Sequence, residues 1–148
     1  MKKFLTILIL SISLCACSGT KKTNTDEIIF YVEMTVNNKT LIEINDFSKF
    51  YQELVNHNEP NTLSWKFFKS GPNKVIEISR WVNSEAIKNH IRNISERGAL
   101  EEGFTSFVDH FVINKISVLG NTTEEVKEML NNLGVPVIYK PLISGYSK

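Results

Sequence analysis

The sequence predicts an α+β fold of the ferredoxin-like type, an antiparallel sheet with helices on one face. Three observations carry this reading. Apolar residues recur with period two or period 3.6 in the order strand, helix, strand, strand, helix, strand, which is a split βαβ pair. The second and third strand-like runs are joined by Ser70-Gly71-Pro72-Asn73, a hairpin signal. Each helical segment has a single apolar stripe, as a helix lying on one sheet face requires.

From Ile28 to Val36, residues Ile28, Phe30, Val32, Met34 and Val36 share one face of a strand, with Tyr31 and Glu33 on the other. Asn45 or Asp46 is a candidate cap for a helix presenting Phe47, Phe50, Tyr51, Leu54 and Val55, which should end near Asn56 to Asn58, ahead of Pro60. Leu63 to Lys69 and Lys74 to Trp81 form the hairpin. Asn83 or Ser84 caps the next helix, whose inner face carries Ala86, Ile87, His90, Ile91 and Ile94 and which Arg97-Gly98 closes. Glu101 to Phe111 reads as a short helix and Val112 to Leu119 as a β-branched strand closed by Gly120. Thr122 and Glu125 match a capping box for a helix with Val126, Met129, Leu130 and Leu133, stopped by Gly134. A short strand from Val135 to Tyr139 follows. The mixed apolar character of Tyr31, Trp65, Phe67, Phe68 and Trp81 suggests that the second face of the sheet is covered too, most simply by a second copy of the chain.

The N-terminus reads separately from the domain. Lys2 and Lys3 precede an apolar run from Phe4 to Leu14, too short to span a bilayer with ordinary flanks, and then Leu14-Cys15-Ala16-Cys17. The segment resembles a bacterial lipoprotein signal: residues 1–16 are removed and Cys17 receives the lipid. Residues 17–27 then form a polar tether and 28–148 the domain. The expected location is the cell envelope, on the outer membrane, because Ser18 is not the Asp of an inner-membrane retention signal. Lipidation of Cys17 and loss of Cys15 leave the domain without a disulfide, a thiolate nucleophile or a cysteine metal site. The full chain carries 17 basic and 16 acidic residues, and without Lys2 and Lys3 its net charge is near −1. A near-neutral domain without a basic cluster is a poor nucleic-acid binder.

Glu59-Pro60-Asn61-Thr62-Leu63-Ser64-Trp65-Lys66-Phe67-Phe68, Val75-Ile76-Glu77-Ile78-Ser79-Arg80-Trp81, and Asn83-Ser84-Glu85-Ala86 with His90 resemble the antibiotic biosynthesis monooxygenase domain. The likeness runs from about Ile28 to Leu119, and the tail resembles that of quinol monooxygenase-like members. It departs where members have Gly after the proline and Tyr on strand two, here Asn61 and Trp65. It departs again where members have Glu-Arg-Tyr or Glu-Arg-Phe, here Ser79-Arg80-Trp81. Glu77 shares a strand face with Ser79 and is placed to substitute for the missing glutamate.

The resemblance implies a dimeric α+β barrel that oxygenates a phenol or quinol without a cofactor. On that reading His90 is the candidate base, with an unperturbed pKa near neutrality, and Arg80 or Asn61 the candidate holder of the developing oxyanion. Trp65, Trp81, Phe67 and Phe68 are candidate walls of an apolar pocket. Each has a plainer reading: His90 as a hydrogen-bonded core residue, the tryptophans as core or interface, Arg80 as an edge ion pair and Asn61 as a turn residue. The alternative function is a non-catalytic binder of a small apolar or aromatic ligand. Haem oxygenation through His110 ranks below both, since no matching tryptophan and downstream histidine accompany it. No nucleotide loop, zinc signature or hydrolase elbow is present.

Overall fold

The computed structural model describes residues 26–145 and Ser147, so the leader, Cys17 and most of the tether lie outside the described residues. The elements are β1 (Ile28–Val36), α1 (Leu41–Asn58), β2 (Thr62–Gly71), β3 (Lys74–Trp81), α2 (Ser84–Ile94), α3 (Glu101–His110), β4 (Phe111–Leu119), α4 (Glu124–Asn131) and β5 (Val137–Lys140). They form one five-stranded sheet of order β2-β3-β1-β4-β5. The first four strands pair antiparallel, and β5 adds parallel to β4 at the edge after the α4 crossover. The ferredoxin-like α+β arrangement is therefore as predicted, with a mixed edge. Among the described residues no helix is long and apolar enough to cross a membrane.

Strand alternation assigns the two faces. Ile28, Phe30, Val32 and Met34 of β1 are buried beneath the helices, and their partners across β3 are Trp81, Ser79, Glu77 and Val75. Residues directly opposite in a sheet share a face, so all eight point toward the helix layer. The outer face carries Ile29, Tyr31, Ile76, Ile78, Phe68 and Arg80, and Phe68 is 46% exposed; Trp65, Phe67 and Trp81, expected on that face from sequence, instead pair with inner-face residues and point toward the helices. At the far end of the inner face Phe47, Phe67, Phe107 and Phe111 pack as an aromatic cluster, with ring centroids of 5.2 to 6.3 Å for the contacts among them. Each such ring contributes a few kcal/mol of burial.

One irregularity matters for the site. Thr62 pairs with Trp81 and Ser64 with Arg80, so Leu63 is the extra residue of a β-bulge. In a regular strand, Thr62 and Trp65, three apart, would face opposite ways. The bulge turns both toward the helices.

Element boundaries differ from the sequence expectation in instructive places. α1 starts a full turn before Asn45, because Thr40 and Glu43 form a reciprocal capping box: Glu43 N–H donates to Thr40 Oγ1 at 3.3 Å and Thr40 N–H to Glu43 Oε2 at 2.7 Å. Leu41 and Ile42 are exposed, so the apolar stripe does not mark that turn. The α4 cap is Thr123 rather than Thr122, accepting from Val126 N–H, and the helix ends at Asn131, which leaves Leu133 exposed. Phe111 opens β4 rather than closing α3. Asn83 caps α2 as expected, its Oδ1 accepting from Ala86 N–H at 3.1 Å.

Candidate functional site

The site is assembled where the end of α1, the start of β2 and the inner face of α2 meet over β3. α2 buries Ala86, Ile87, His90 and Ile91 on one stripe, so helical spacing alone drives the His90 ring toward the sheet. Its imidazole lies against two indoles, 5.2 Å from Trp65 and 5.7 Å from Trp81 between ring centroids. The indoles meet edge to face at 6.0 Å, and Tyr51 of α1 closes against Trp65 at 5.6 Å.

Glu59 anchors this arrangement. Its backbone N–H caps α1 through Val55 O, while its buried carboxylate receives three side chains. His90 Nδ1 lies 3.0 Å from both Oε1 and Oε2, Asn93 Nδ2 donates to Oε1 at 3.0 Å, and Thr62 Oγ1 donates to Oε2 at 3.0 Å. Burial raises the Glu59 carboxyl, but the hydrogen bonds from His90, Asn93 and Thr62 and the attraction of His90 outweigh it and hold the group below the ordinary carboxylate range. A carboxylate only accepts, so His90 Nδ1 carries the hydrogen, and Nε2 is the nitrogen that has the lone pair whenever the ring is neutral. That is an imidazole oriented by a carboxylate.

The floor beneath His90 is polar in an unusual way. Glu77, Ser79 and Trp81 follow one another on the inner face of β3 and are all but fully buried, and Trp65 pairs directly with Ser79. Glu77 Oε1, Ser79 Oγ, Trp65 Nε1 and Trp81 Nε1 are buried without completing a hydrogen bond of ordinary geometry. Burial pushes the Glu77 carboxyl well above its usual range, against a weaker downward pull from the adjacent Ser79 hydroxyl. Burial therefore favours the protonated, neutral form of Glu77. Tyr51 is also pushed up, by burial first and then by the charge of Glu59.

Two surface clefts flank the pair. One, about 300 Å³, is lined by Glu59, Pro60, Asn61, Asn89 and Asn93. The other, about 280 Å³, runs between α1 and β2 past Val55, Asn56 and Trp65, and Thr62 borders both.

Of the residues expected from sequence, the structure brings His90, Trp65 and Trp81 together. Arg80 is not with them. Alternation turns it to the outer face, where Arg80 Nε donates to Glu27 Oε1 at 2.5 Å. Phe68 is on that outer face too, and Asn61 is an exposed residue on the rim of the Glu59 cleft. Phe67 faces inward but packs on Phe111 and Phe107 at the opposite end of the sheet. His110 stacks on Phe47 at 4.1 Å with Nδ1 on Ser106 O, apart from the His90 cluster. Glu59 and Tyr51 are site residues for which the sequence reading assigned no role.

No protein-family model matches the chain, and no curated protein matches it in sequence. Solved structures do. MupZ from Pseudomonas fluorescens superposes over 82% of this chain and 94% of its own, with a TM-score of 0.62 at 13% identity. SnoaB, a cofactor-independent oxygenase from Streptomyces nogalater, matches over 66% of this chain and 95% of its own, with a TM-score of 0.53 at 14% identity. A Bacteroides thetaiotaomicron protein provisionally assigned as an antibiotic biosynthesis monooxygenase matches over 68% and 92%, with a TM-score of 0.50 at 17% identity. The shared property is the fold. The ferredoxin-like α+β domain of this chain is one on which oxygenase-type proteins are built, as the sequence resemblance predicts.

The buried acid gives a signed pH dependence. Because the folded Glu77 pKa is raised above its unfolded value, the group favours the fold fully below the ordinary carboxylate pKa, and that contribution is lost as pH rises toward the folded pKa. Glu77→Gln should therefore leave thermal stability nearly unchanged at pH 4 and raise it by several degrees at pH 8. Thermal melts of both proteins across that range test this, and an equal difference at the two pH values would contradict the assignment.

Proposed function

We propose that the protein is a monooxygenase that oxidises a small phenol or quinol with molecular oxygen and no added cofactor, with His90 as the base. The carrying observation is the His90–Glu59 pair set against Trp65 and Trp81. His90 Nε2 takes the phenolic proton, and the resulting electron-rich anion transfers an electron to oxygen. One oxygen atom ends on the ring, and the other leaves as water with two hydrogens drawn from the substrate, so that a phenol and O₂ give a quinone and water. His90 returns its proton to that water. Glu59 balances the imidazolium while it exists, and the indole walls exclude bulk water from the anion. The oxygenase activity of SnoaB on the same fold supports this reading.

A second reading is a non-catalytic carrier of a small aromatic ligand in the same place. One observation favours it: Arg80 is committed to Glu27 on the opposite face, so strand β3 brings no cation to the interior. The two separate by oxygen uptake with anthrone or a reduced naphthoquinol, without added metal, flavin or haem. The expected result is uptake well above autoxidation that falls by about 10² to 10⁴ in His90→Gln, whose amide can still donate to Glu59, with a much smaller change in melting temperature. Uptake at the autoxidation rate across the panel, with binding retained, selects the carrier.

The outer sheet face supports a homodimer in this proposal. Ile29, Tyr31, Ile76 and Ile78 form an apolar centre that no helix among the described residues covers. Sedimentation at micromolar concentration should give a dimer and Ile78→Glu a monomer, whereas a monomeric wild type rules the barrel out. The Leu14-Cys15-Ala16-Cys17 box supports export and lipid attachment at Cys17, placing the domain where membrane quinols are at hand. Palmitate labelling in a bacterial host should be lost in Cys17→Ala, and label surviving that change would remove the anchor from the proposal.

A further inference from the structure

The strand register gathers four features at one end of the sheet. Thr62, Trp81 and Ile28 stand opposite one another across β2, β3 and β1, and Ile29, Leu119 and Lys140 continue the row across β1, β4 and β5. That end therefore holds the point where the chain from Cys17 enters β1, the turn after β4, the tail after β5, and the Glu59-Pro60-Asn61 segment that leads into β2. The tail is the unusual member. Pro141 has no N–H to continue the β5 ladder, and the turn that follows is held by Gly120 N–H donating to Lys140 O at 3.0 Å and Leu142 N–H donating to Asn121 Oδ1 at 3.3 Å. Held in this way, the tail turns its apolar residues outward: Ile143 is 101% exposed, Leu142 40% and the neighbouring Leu119 37%. All three border a cleft of about 400 Å³ that Glu27 and Ile29 also line. Single exposed aliphatic residues need no explanation, whereas an apolar tip beside an apolar cleft marks a contact surface.

We propose that Leu142 and Ile143 dock on a phospholipid bilayer, entering its interfacial layer and setting the domain end-on, with the Glu59 cleft toward the membrane. The proposal rests on the lipid attachment at Cys17 put forward under the proposed function. Reach and charge favour a bilayer over other covers. The chain from Cys17 to Glu27 spans at most about 35 Å, so the lipid keeps this end of the sheet near the bilayer, whereas the Val36 end of β1 lies roughly 27 Å further along the strand. Charge does not oppose the approach, because Glu27 pairs with Arg80, Glu124 with Lys127 and Glu125 with Lys88. The exposed Lys140 stands next to the tail, with a side chain long enough to reach phosphate oxygens. Two aliphatic side chains hold a bilayer weakly by themselves, but an anchored domain meets it at a high effective concentration, so a weak contact is enough to fix its orientation. The cleft lined by Glu59, Pro60 and Asn61 lies at the same end, four strand spacings or roughly 19 Å across the sheet from the tail, so an apolar compound leaving the bilayer emerges beside it.

The test reads depth at the tail in the full chain, processed in a bacterial host, purified in detergent and reconstituted into phosphatidylcholine vesicles with or without bromine on the upper acyl-chain carbons. The reporter is Ile143→Trp, and the control is Ile42→Trp at the opposite end of the sheet, where Ile42 is 73% exposed. The wild-type emission, from Trp65 and Trp81, is subtracted from both. The expected result on moving to brominated vesicles is loss of more than about half of the added emission in Ile143→Trp and less than about a tenth in Ile42→Trp. A lipidated chain with equal quenching at the two positions, or with none at 143, overturns the docking and leaves the anchor standing. Blue-shifted emission at 143 without quenching marks a protein cover, a second copy of the chain included, and overturns the docking as well. A chain that mass spectrometry shows without lipid on Cys17 removes the anchor reading and the docking with it.

Discussion

A single buried carboxylate holds the three elements of the site in register. Glu59 ends α1 with its backbone and ties β2 and α2 to that end with its side chain, through Thr62, His90 and Asn93. A charge taken out of water is tolerable only when it is paired and hydrogen-bonded, and removing one partner from such a group leaves a penalty of several kcal/mol. The position of His90 is therefore not set by helical spacing alone. The helix aims the ring inward, and Glu59 decides which nitrogen carries the hydrogen.

The second constraint is parity. Along β3 the residues alternate between the helix layer and the outer face, which unites Glu77, Ser79 and Trp81 and separates all three from Arg80. Along β2 parity is broken twice, at Leu63 and at Ser70, and the break at Leu63 lets Thr62 reach Glu59 while Trp65 reaches His90. Deleting one residue there would reverse the facing of every residue on one side of the bulge. The result is an inner face on which Trp65 and Trp81 meet the His90 ring beside the buried Glu77 and Ser79, within a core otherwise built of aliphatic and aromatic side chains.

Much of this was legible in the chain. Period-two runs in β1 and β3, the Ser70-Gly71-Pro72-Asn73 turn and the His90 stripe of α2 led to the right fold and the right inner face, and the shared facing of Glu77 and Ser79 follows from strand parity. The same parity already set Arg80 apart from Trp81, yet the family likeness drew it into the site. Glu59 was not legible as the partner of His90. The two lie 31 positions apart, and where the side chain of a helix-ending residue points depends on how the next strand departs. The Leu63 bulge is likewise invisible to a periodicity reading, because one extra residue looks like the ragged start of a strand. Tyr51 was read as helix core, which it is, and only its contact with Trp65 adds it to the site.

The most direct test of the account is the tautomer of His90, read from ¹⁵N chemical shifts of the imidazole nitrogens in the labelled full chain at pH 8, with His90→Gln used for assignment. The Glu59 carboxylate on Nδ1 demands a hydrogen on Nδ1, so the neutral ring is the Nδ1–H tautomer. A ring protonated on Nε2 with Nδ1 bare, or one protonated on both nitrogens, would contradict the claim that Glu59 orients His90 as a base.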